Sequence, residues 1–307
     1  MHELPKITVV LPIRNEERFI AQTLEYVLKQ DYPKELLEVL VVDGESDDRT
    51  VAIVSEIAST DNRVRLLHNP RRLSSAARSI GARAATGDIV TFIDGHTYID
   101  NTQLMRNTAR LMAEKDVEVL SRPQFLDTPD NTFMQKAISL ARKSFLGHGL
   151  DSTIYTSQDL YVDPSSSGAS YRRSVFEAVG YFDERFDACE DVEFNFRIHK
   201  SGRRSFTSLS LAVYYYPRPS LGRLFKQMCR YGAGRLRLAR KHPTTLSPGT
   251  LLPVFFTLGL FGLPVLSLVW NWFGWLFLVG YGFYVLLALG ASLQIALKEG
   301  FSFFLPV

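Results

Sequence analysis

A chain of 307 residues, 46% hydrophobic and 22% charged, holds apolar material for one large domain and something more, which excludes a disordered or fibrous polypeptide. A net charge of +3, with no basic run interleaved by aromatics, argues against a nucleic-acid partner. Two cysteines, Cys189 and Cys229, without metal-type spacing suit a reducing compartment and predict no disulfide.

Residues 7–12 form an apolar run of strand length with no basic region before it and no cleavage site, so a first strand is predicted and not a signal peptide. Helices over 17–30, 48–59, 74–85 and 101–114 then alternate with strands over 37–43, 64–69, 89–94 and 118–122. That alternation predicts a mostly parallel sheet with helices on both faces. Asp47 and Asp48 precede the second helix and read first as its caps. After Gln124 the alternation stops. A helix is predicted at 132–145, and the stretch 147–167, rich in Gly, Ser and Asp, is either a substrate loop or a surface excursion. Helices resume at 173–179, 190–200 and 221–240.

Residues 243–297 contain no Asp, Glu, Lys or Arg, whereas the chain before them is charged throughout. This shift sets a domain boundary between 1–242 and 243–307, and the uncharged run accommodates two membrane-spanning helices of about 20 residues each. Asn271-Trp272-Phe273-Gly274 is the predicted turn between them, with Trp270, Trp272 and Trp275 as an interfacial belt. Arg235, Arg237, Arg240 and Lys241, with no acid among residues 230–241, put the preceding end on the cytoplasmic side, and Lys298-Glu299 marks the return. The expected setting is a multi-pass protein of the cell (inner) membrane with its large domain cytoplasmic. The segment 300–307 is apolar but too short to cross, and fits an interfacial tail or the start of another helix.

Four polar groups stand at the ends of predicted strands or helices. Ile89-Val-Thr-Phe-Ile-Asp94-Gly-His96 is an apolar run that delivers a carboxylate and an imidazole to its end. Open α/β sheets place ligands there, and an acid so placed can hold a divalent cation against a diphosphate; the alternative is a strand that ends in a polar turn. Pro12-Ile-Arg-Asn15-Glu16 and Val41-Val-Asp43-Gly-Glu-Ser-Asp47-Asp48 follow the first two strands along the same edge, where a nucleotide would lie and Asp43 could accept bonds from a base or ribose. Cys189-Glu190-Asp191-Val-Glu193 opens a helix: acids there answer the helix dipole, and the adjacent pair also suits a general base. Gln227-Met-Cys-Arg230-Tyr231 shares one helical face near the membrane boundary, either as a binding group or as part of an interfacial helix.

The ordered set PIRNE, VVDGESDD, IDGH, GASYRR, CEDVE and QMCRY resembles the family 2 glycosyltransferases, inverting enzymes of GT-A fold, over about residues 5–240. The DGH form, the YRRSVFEAVGYFDE segment and the C-terminal apolar helices look most like bacterial exopolysaccharide enzymes of the succinoglycan-type glucosyltransferase kind. The resemblance implies an α/β, Rossmann-like nucleotide-binding sheet followed by membrane helices. It also implies transfer of a sugar from a nucleotide diphosphate donor, commonly UDP-linked, to an acceptor hydroxyl with inversion. By position, Pro12, Asn15, Glu16 and Asp43 would surround the nucleotide, and Asp94 and His96 stand at a metal-binding Asp-x-Asp for Mn2+ or Mg2+. Asp191 stands at the catalytic base, with Glu190 the next candidate, and Gln227, Arg230 and Tyr231 at a Gln-x-x-Arg-Trp motif near the acceptor or donor diphosphate.

Two departures from the family pattern matter. His96 in place of an acid softens the site toward manganese. Tyr231 in place of Trp, with a short membrane part, speaks against a processive, chain-extruding synthase. A site held at the bilayer suits a lipid-linked saccharide acceptor. The rival readings are a polyprenyl-phosphate sugar synthase and a non-catalytic membrane scaffold, the latter opposed by the intact acids at 43, 94 and 191.

Overall fold

The computed structural model describes residues 3–147, 154–165 and 168–307, so 148–153 and 166–167 of the candidate loop at 147–167 lie outside the described residues. The chain begins as expected: β1 (Ile7–Ile13), α1 (Ile20–Leu28), β2 (Leu37–Asp43), α2 (Thr50–Thr60), β3 (Val64–His68), α3 (Ser74–Ala84) and β4 (Ile89–Phe92). It continues through β5 (Thr97–Tyr98), α4 (Leu104–Glu114), β6 (Val119–Ser121), β7 (Gln124–Phe125), α5 (Phe133–Lys143) and β8 (Leu160–Val162). Then follow β9 (Gly168–Arg172), α6 (Arg173–Val179), α7 (Glu190–Lys200), β10 (Ser205–Thr207), β11 (Val213–Tyr215), α8 (Leu221–Lys241), α9 (Pro248–Ser267) and α10 (Asn271–Glu299).

Side chains alternate across the strands, and the sequence supplies apolar groups to both sides. Ile7, Val9, Leu11 and Ile13 of β1 join Val39 and Val41 of β2 in one core, closed by Ile20, Leu24 and Val27 of α1, Val54 of α2, and Leu104, Met105 and Leu111 of α4. Val10, Leu40 and Val42 face the other way, onto Ala77 and Ala82 of α3, Phe176 of α6, and Phe194 and Ile198 of α7. Helix α3 lies so close to β1 that a Cβ on Gly81 would come within 2.3 Å of Val10 Cγ1. Only glycine fits there.

The main sheet runs β3-β2-β1-β4-β9-β6-β10-β8, with β1 to β4 parallel, and a small sheet runs β5-β11-β7. Six of the eight main-sheet strands run the same way, as expected of a mostly parallel sheet; it is mixed because β9 inserts antiparallel between β4 and β6, and β8 closes the edge antiparallel to β10. These strands of three to five residues, like the two- and three-residue strands of the small sheet, are too short to carry a readable alternation.

Register places the site. Ile13 stands opposite Asp43, and Val10 opposite Phe92, so the segments leaving β1, β2 and β4 emerge along one edge. Asp94 lies beyond the ladder because β4 stops at Phe92, although the Ile93 amide still donates to the Val10 carbonyl at 3.0 Å. Helix α1 begins at Ile20 and not at 17, since the preceding residues serve the neighbouring loop: the Glu16 amide donates to Thr50 Oγ1 (2.7 Å) and the Glu17 amide to Asp48 (3.2 Å).

The described residues divide into two compact units, Met1–Asp130 with Thr153–Tyr216 and Phe225–Arg235, and Asn131–Ser152 with Pro217–Leu224 and Leu236–Val307. The second contains α5, α9 and α10. Helices α9 and α10 are both long and apolar enough to cross a bilayer, and Tyr281 Oη donates to the Phe256 carbonyl between them. The turn precedes the predicted Asn271–Gly274, which instead opens α10. Asn and Gly read as turn formers, but in so apolar a run helix propagation wins. Phe301–Phe303 forms a single 3₁₀ turn, with Phe303 stacked on Phe133 at 4.8 Å.

Glu38 ties the first unit together at the opposite end of the strands from the site. Buried in β2, it accepts from Thr8 Oγ1 (2.7 Å), the Thr86 amide (2.9 Å) and Thr86 Oγ1 (3.0 Å). Burial works to raise its carboxyl pKa, but the Thr8 and Thr86 bonds outweigh it and hold the carboxyl below its ordinary 4.5. A lowered folded pKa stabilises above the unfolded value and loses that contribution as pH falls through the folded one. Glu38→Gln should therefore cost about 1.5–3 kcal/mol near neutral pH, the range for hydrogen bonds to a charged group. The difference in denaturant unfolding should shrink as pH falls below 4.5; a gap independent of pH would refute the charged role.

Candidate active site

Two loops leave the sheet edge and lock each other. Asn15 adopts the left-handed region (φ 56°), which asparagine tolerates well, its amide donating to Ser46 Oγ (2.8 Å) and its Oδ1 accepting from the Asp47 amide (3.0 Å). Asp43, buried at the end of β2, accepts from the Ser46 hydroxyl (2.5 Å) and amide (3.1 Å). Asp48 accepts from the Thr50 amide at 2.9 Å just ahead of α2, but the N-cap of that helix is Arg49 with no side-chain capping bond, and the Asp47 amide serves Asn15, so neither expected cap is the N-cap. Pro12 lies in β1 opposite Val42, just before the loop. Glu16 turns toward the neighbouring strand end, where its Oε1 meets His96 Nδ1 at 2.8 Å.

The edge is joined to α7 by one side chain absent from the sequence reading. Arg78 of α3 donates through Nη2 to Asp94 Oδ1 (2.9 Å), its Nε lies 3.4 Å from Glu190 Oε1, and its guanidinium sits 5.2 Å from the Phe92 ring centre. Burial acts to lower the Arg78 pKa, but Asp94, Glu190 and Asp191 outweigh it and push it up, so the cation is fixed. Glu190 is buried and its carboxyl is raised, first by burial and then by Asp191, with Arg78 opposing. Asp191 is exposed in the first turn of α7 and accepts the Val192 amide at 2.8 Å. Glu193 is fully buried and accepts from Arg197 Nε at 3.0 and 3.1 Å, a structural bond within the helix.

Beneath Asp94 lies a second arginine. Arg122, 2% exposed, donates to the Phe92 carbonyl (2.9 Å), Thr91 Oγ1 (2.7 Å) and Ser170 Oγ (3.4 Å). Burial lowers its pKa, with Tyr215 and Asp94 opposing. The Tyr215 phenol is raised, by burial first and by Asp94 next.

Helix α8 closes the other side of the α7 turn. Arg230 Nη2 donates to the Asp187 carbonyl (2.9 Å) and Oδ1 (3.0 Å), and Cys189 Sγ lies 3.8 Å from the Tyr231 carbonyl. A Cβ on Gly234 would lie 2.7 Å from the Ala188 carbonyl oxygen and 2.8 Å from Cys189 Sγ, so glycine permits the approach. Cys189 itself is left-handed (φ 63°), which swings the chain directly into Glu190 and Asp191. Gln227 Nε2 donates to Tyr231 Oη at 3.0 Å, while Gln227 Oε1 is buried with no partner among the described residues. Neither cysteine forms a disulfide among the described residues.

The family model described as glycosyl transferase family 2 matches residues 8–180, more than half of the chain. The chain belongs to this family. Succinoglycan biosynthesis protein ExoA of Rhizobium meliloti is 32% identical to this glycosyltransferase over 95% of the chain and 86% of its own length. A Methanococcus voltae protein, dolichyl N-acetyl-alpha-D-glucosaminyl phosphate 3-beta-D-2,3-diacetamido-2,3-dideoxy-beta-D-glucuronosyltransferase, is 26% identical over 76% of this chain and 74% of its own. Among solved structures, the mannosyltransferase PcManGT of Pyrobaculum calidifontis, in complex with GDP-Man and Mn2+, shares the fold with a TM-score of 0.62 at 21% identity, over 99% of this chain and 86% of that one. The S. aureus TarS 1-349 complex with UDP-GlcNAc gives a TM-score of 0.54 at 22% identity over 70% of this chain, which spans only 59% of that one. The transferase thus has the α/β GT-A fold.

Does the donor set of this transferase fit a divalent ion? No three Asp, Glu, His or Cys side chains converge on a cage among the described residues. Arg78 contacts only one Asp94 oxygen, and Glu16 holds the His96 ring through Nδ1, the outer-shell bond that orients a ligating imidazole. One carboxylate and one imidazole fit an ion that takes its other ligands from diphosphate oxygens and water. Glu16, expected at the nucleotide, is thereby drawn to His96. The signal for Arg78 was legible in principle: unlike exposed Arg83 of the same helix, it lies among buried Ser75, Ala76, Ala77, Ser79, Gly81 and Ala82, which are all small.

Removing one member of a buried ion cluster leaves uncompensated charge, so Arg78→Ala should cost about 3–5 kcal/mol of stability. Arg78→Ala with Glu190→Gln should recover part of that loss, because the stranded carboxylate is gone. Denaturant unfolding of the four proteins checks this, and strictly additive losses would show that Arg78 and Glu190 are not coupled.

Proposed function

We propose that this transferase moves a sugar from a nucleoside diphosphate donor, UDP-linked, to an acceptor hydroxyl with inversion, acting on a lipid-linked saccharide in exopolysaccharide or surface-glycan synthesis. The observation that carries the reading is the chain Asp94–Arg78–Glu190, which holds the anion-facing edge of the sheet beside exposed Asp191. Asp191 takes the proton of the attacking hydroxyl. Glu190, buried and engaged by Arg78, positions that turn and is the lesser candidate for the base. Pro12, Asn15, Asp43 and the loops they join form the nucleotide side, and Arg230 with Gln227 and Tyr231 lines the acceptor or diphosphate side. Mn2+ or Mg2+ held by Asp94 and His96 would neutralise charge on the departing diphosphate.

The names of the relatives support this reading at the level of class: one is a succinoglycan biosynthesis protein and another acts on a dolichyl-linked sugar phosphate. Residues 1–242 would form the cytoplasmic catalytic part, and α9 and α10 a hairpin that crosses the inner membrane with both ends cytoplasmic.

General-base help is worth roughly 10²–10⁴-fold in rate, and Asp191→Asn should lose that much transfer while keeping UDP affinity, since the amide keeps the shape but takes no proton. Near-normal turnover with a hydroxyl acceptor would sink the base assignment. Undiminished turnover of this variant on a lipid phosphate would instead identify an acceptor that is already an anion.

Chelation should abolish turnover and manganese should restore it. Asp94→Ala should lose metal-dependent UDP binding, measured by calorimetry, and His96→Asp should shift preference toward magnesium, the harder ion. Full activity in excess chelator would remove the metal from the reading.

A further inference from the structure

The small sheet turns a row of aromatic rings outward. Register sets Tyr98 of β5 opposite Tyr214 of β11, and Tyr214 opposite Phe125 of β7. Their ring centres lie 5.7 and 5.8 Å apart, and Tyr26 of α1 extends the row, edge-on to Tyr98 at 5.3 Å. Because side chains alternate along β11, Val213 and Tyr215 face the other way, onto the core that α1 and α4 close. Tyr216 lies against Phe19 at 4.7 Å, and Phe19 lies 6.5 Å from His96. An aromatic track therefore leads outward from the end of β4. All six rings remain partly exposed, and an open row of this kind marks an interaction surface.

The rim of the track selects its occupant. The Tyr214 phenol is raised first by burial and then by Asp100 and Asp127, and the Tyr216 phenol first by burial and then by Asp130. All three acids are exposed, so carboxylates line the outer part of the track, while Arg18 sits 5.1 Å from the Phe19 ring centre at the inner end. Such a rim repels a phosphate, a uronate or a nucleic-acid strand. A bare hydrocarbon chain would desolvate the carboxylates and phenols without giving them partners. A neutral saccharide meets both demands: the C–H face of a pyranose ring packs on an aromatic ring, and its hydroxyls donate charge-assisted hydrogen bonds to the acids.

We propose that this track binds the saccharide part of the acceptor, with sugar rings against Tyr216, Tyr98 and Tyr214 and their hydroxyls on Asp100, Asp127 and Asp130. This rests on the transferase reading above, and adds that the acceptor presents an oligosaccharide that is uncharged along this stretch.

The test titrates the full chain in detergent with neutral gluco-, galacto- and manno-oligosaccharides, and with oligouronates as the anionic control. Neutral glycan should bind and oligouronate should not. Tyr98→Leu and Tyr214→Leu, which keep an apolar side chain but lose the ring, should each weaken the neutral glycan by about three- to tenfold. Asp100→Lys with Asp130→Lys should admit oligouronates, a gain that a misfolded protein could not show. Manganese-supported hydrolysis of nucleotide sugars reads the donor side alone and should be the same in all these variants. The proposal is overturned if no neutral glycan binds, if the leucine variants bind it as tightly as the parent, or if sugar-free polyprenyl phosphate displaces it and so assigns the track to the lipid. Glycan binding that the leucine variants lose, with no hydrolysis of any nucleotide sugar, would overturn the transferase reading alone.

Discussion

The buried guanidinium of Arg78 is the interaction on which the site depends. It stands between Asp94 at the end of β4 and Glu190 at the start of α7, two carboxylates that would repel one another without it. Among the described residues neither acid pairs with another cation, so a single side chain from a third element sets their separation. A buried ion cluster is weak evidence for stability in itself, since desolvation offsets much of the attraction. Its use here is geometric: the Asp94 carboxylate and the Asp191 turn come from residues almost a hundred positions apart in sequence, and Arg78 makes them one surface.

The small residues of α3 make this possible. Gly81 lets the helix settle on β1, and with Ser75, Ala76, Ala77 and Ala82 buried, the arginine on the same helix is carried down to the level of the strand ends. From below, Arg122 fixes the backbone of Phe92 and the hydroxyls of Thr91 and Ser170, so the approach to Asp94 is held from both sides of the sheet.

Much of this fold was legible in the sequence because β1, β2 and β4 are buried on both faces and read as nearly continuous apolar runs, punctuated by helices with clear spacing. The same runs end in Asn15, Asp43 and Asp94, so the edge that gathers them could be named before any coordinates. The strands after Gln124 were not legible: at two to five residues they carry too few side chains to show a period, and β9 enters antiparallel where alternation predicts parallel neighbours. Arg78 was missed for a different reason. An arginine in a helix reads as solvated, and only the uniformly small residues around it signal a buried face. The Glu16–His96 contact is not legible in spacing either, because a carboxylate one turn after a strand reaches sideways as readily as outward.

Gly234 has a consequence for how α8 can sit. With the Ala188 carbonyl and Cys189 Sγ already at the distance a methyl group would need, the helix has one rotational setting against the α7 turn: a twist of a single residue would bring Ala233 or Arg235 to the same spot and displace Cys189. Cys189 is the left-handed residue that aims the next two acids, so such a displacement would redirect Asp191 without touching it. The rotational phase of α8 therefore acts as a key for the acid-bearing turn, and a force that rolls the helix about its axis is read out at the carboxylate.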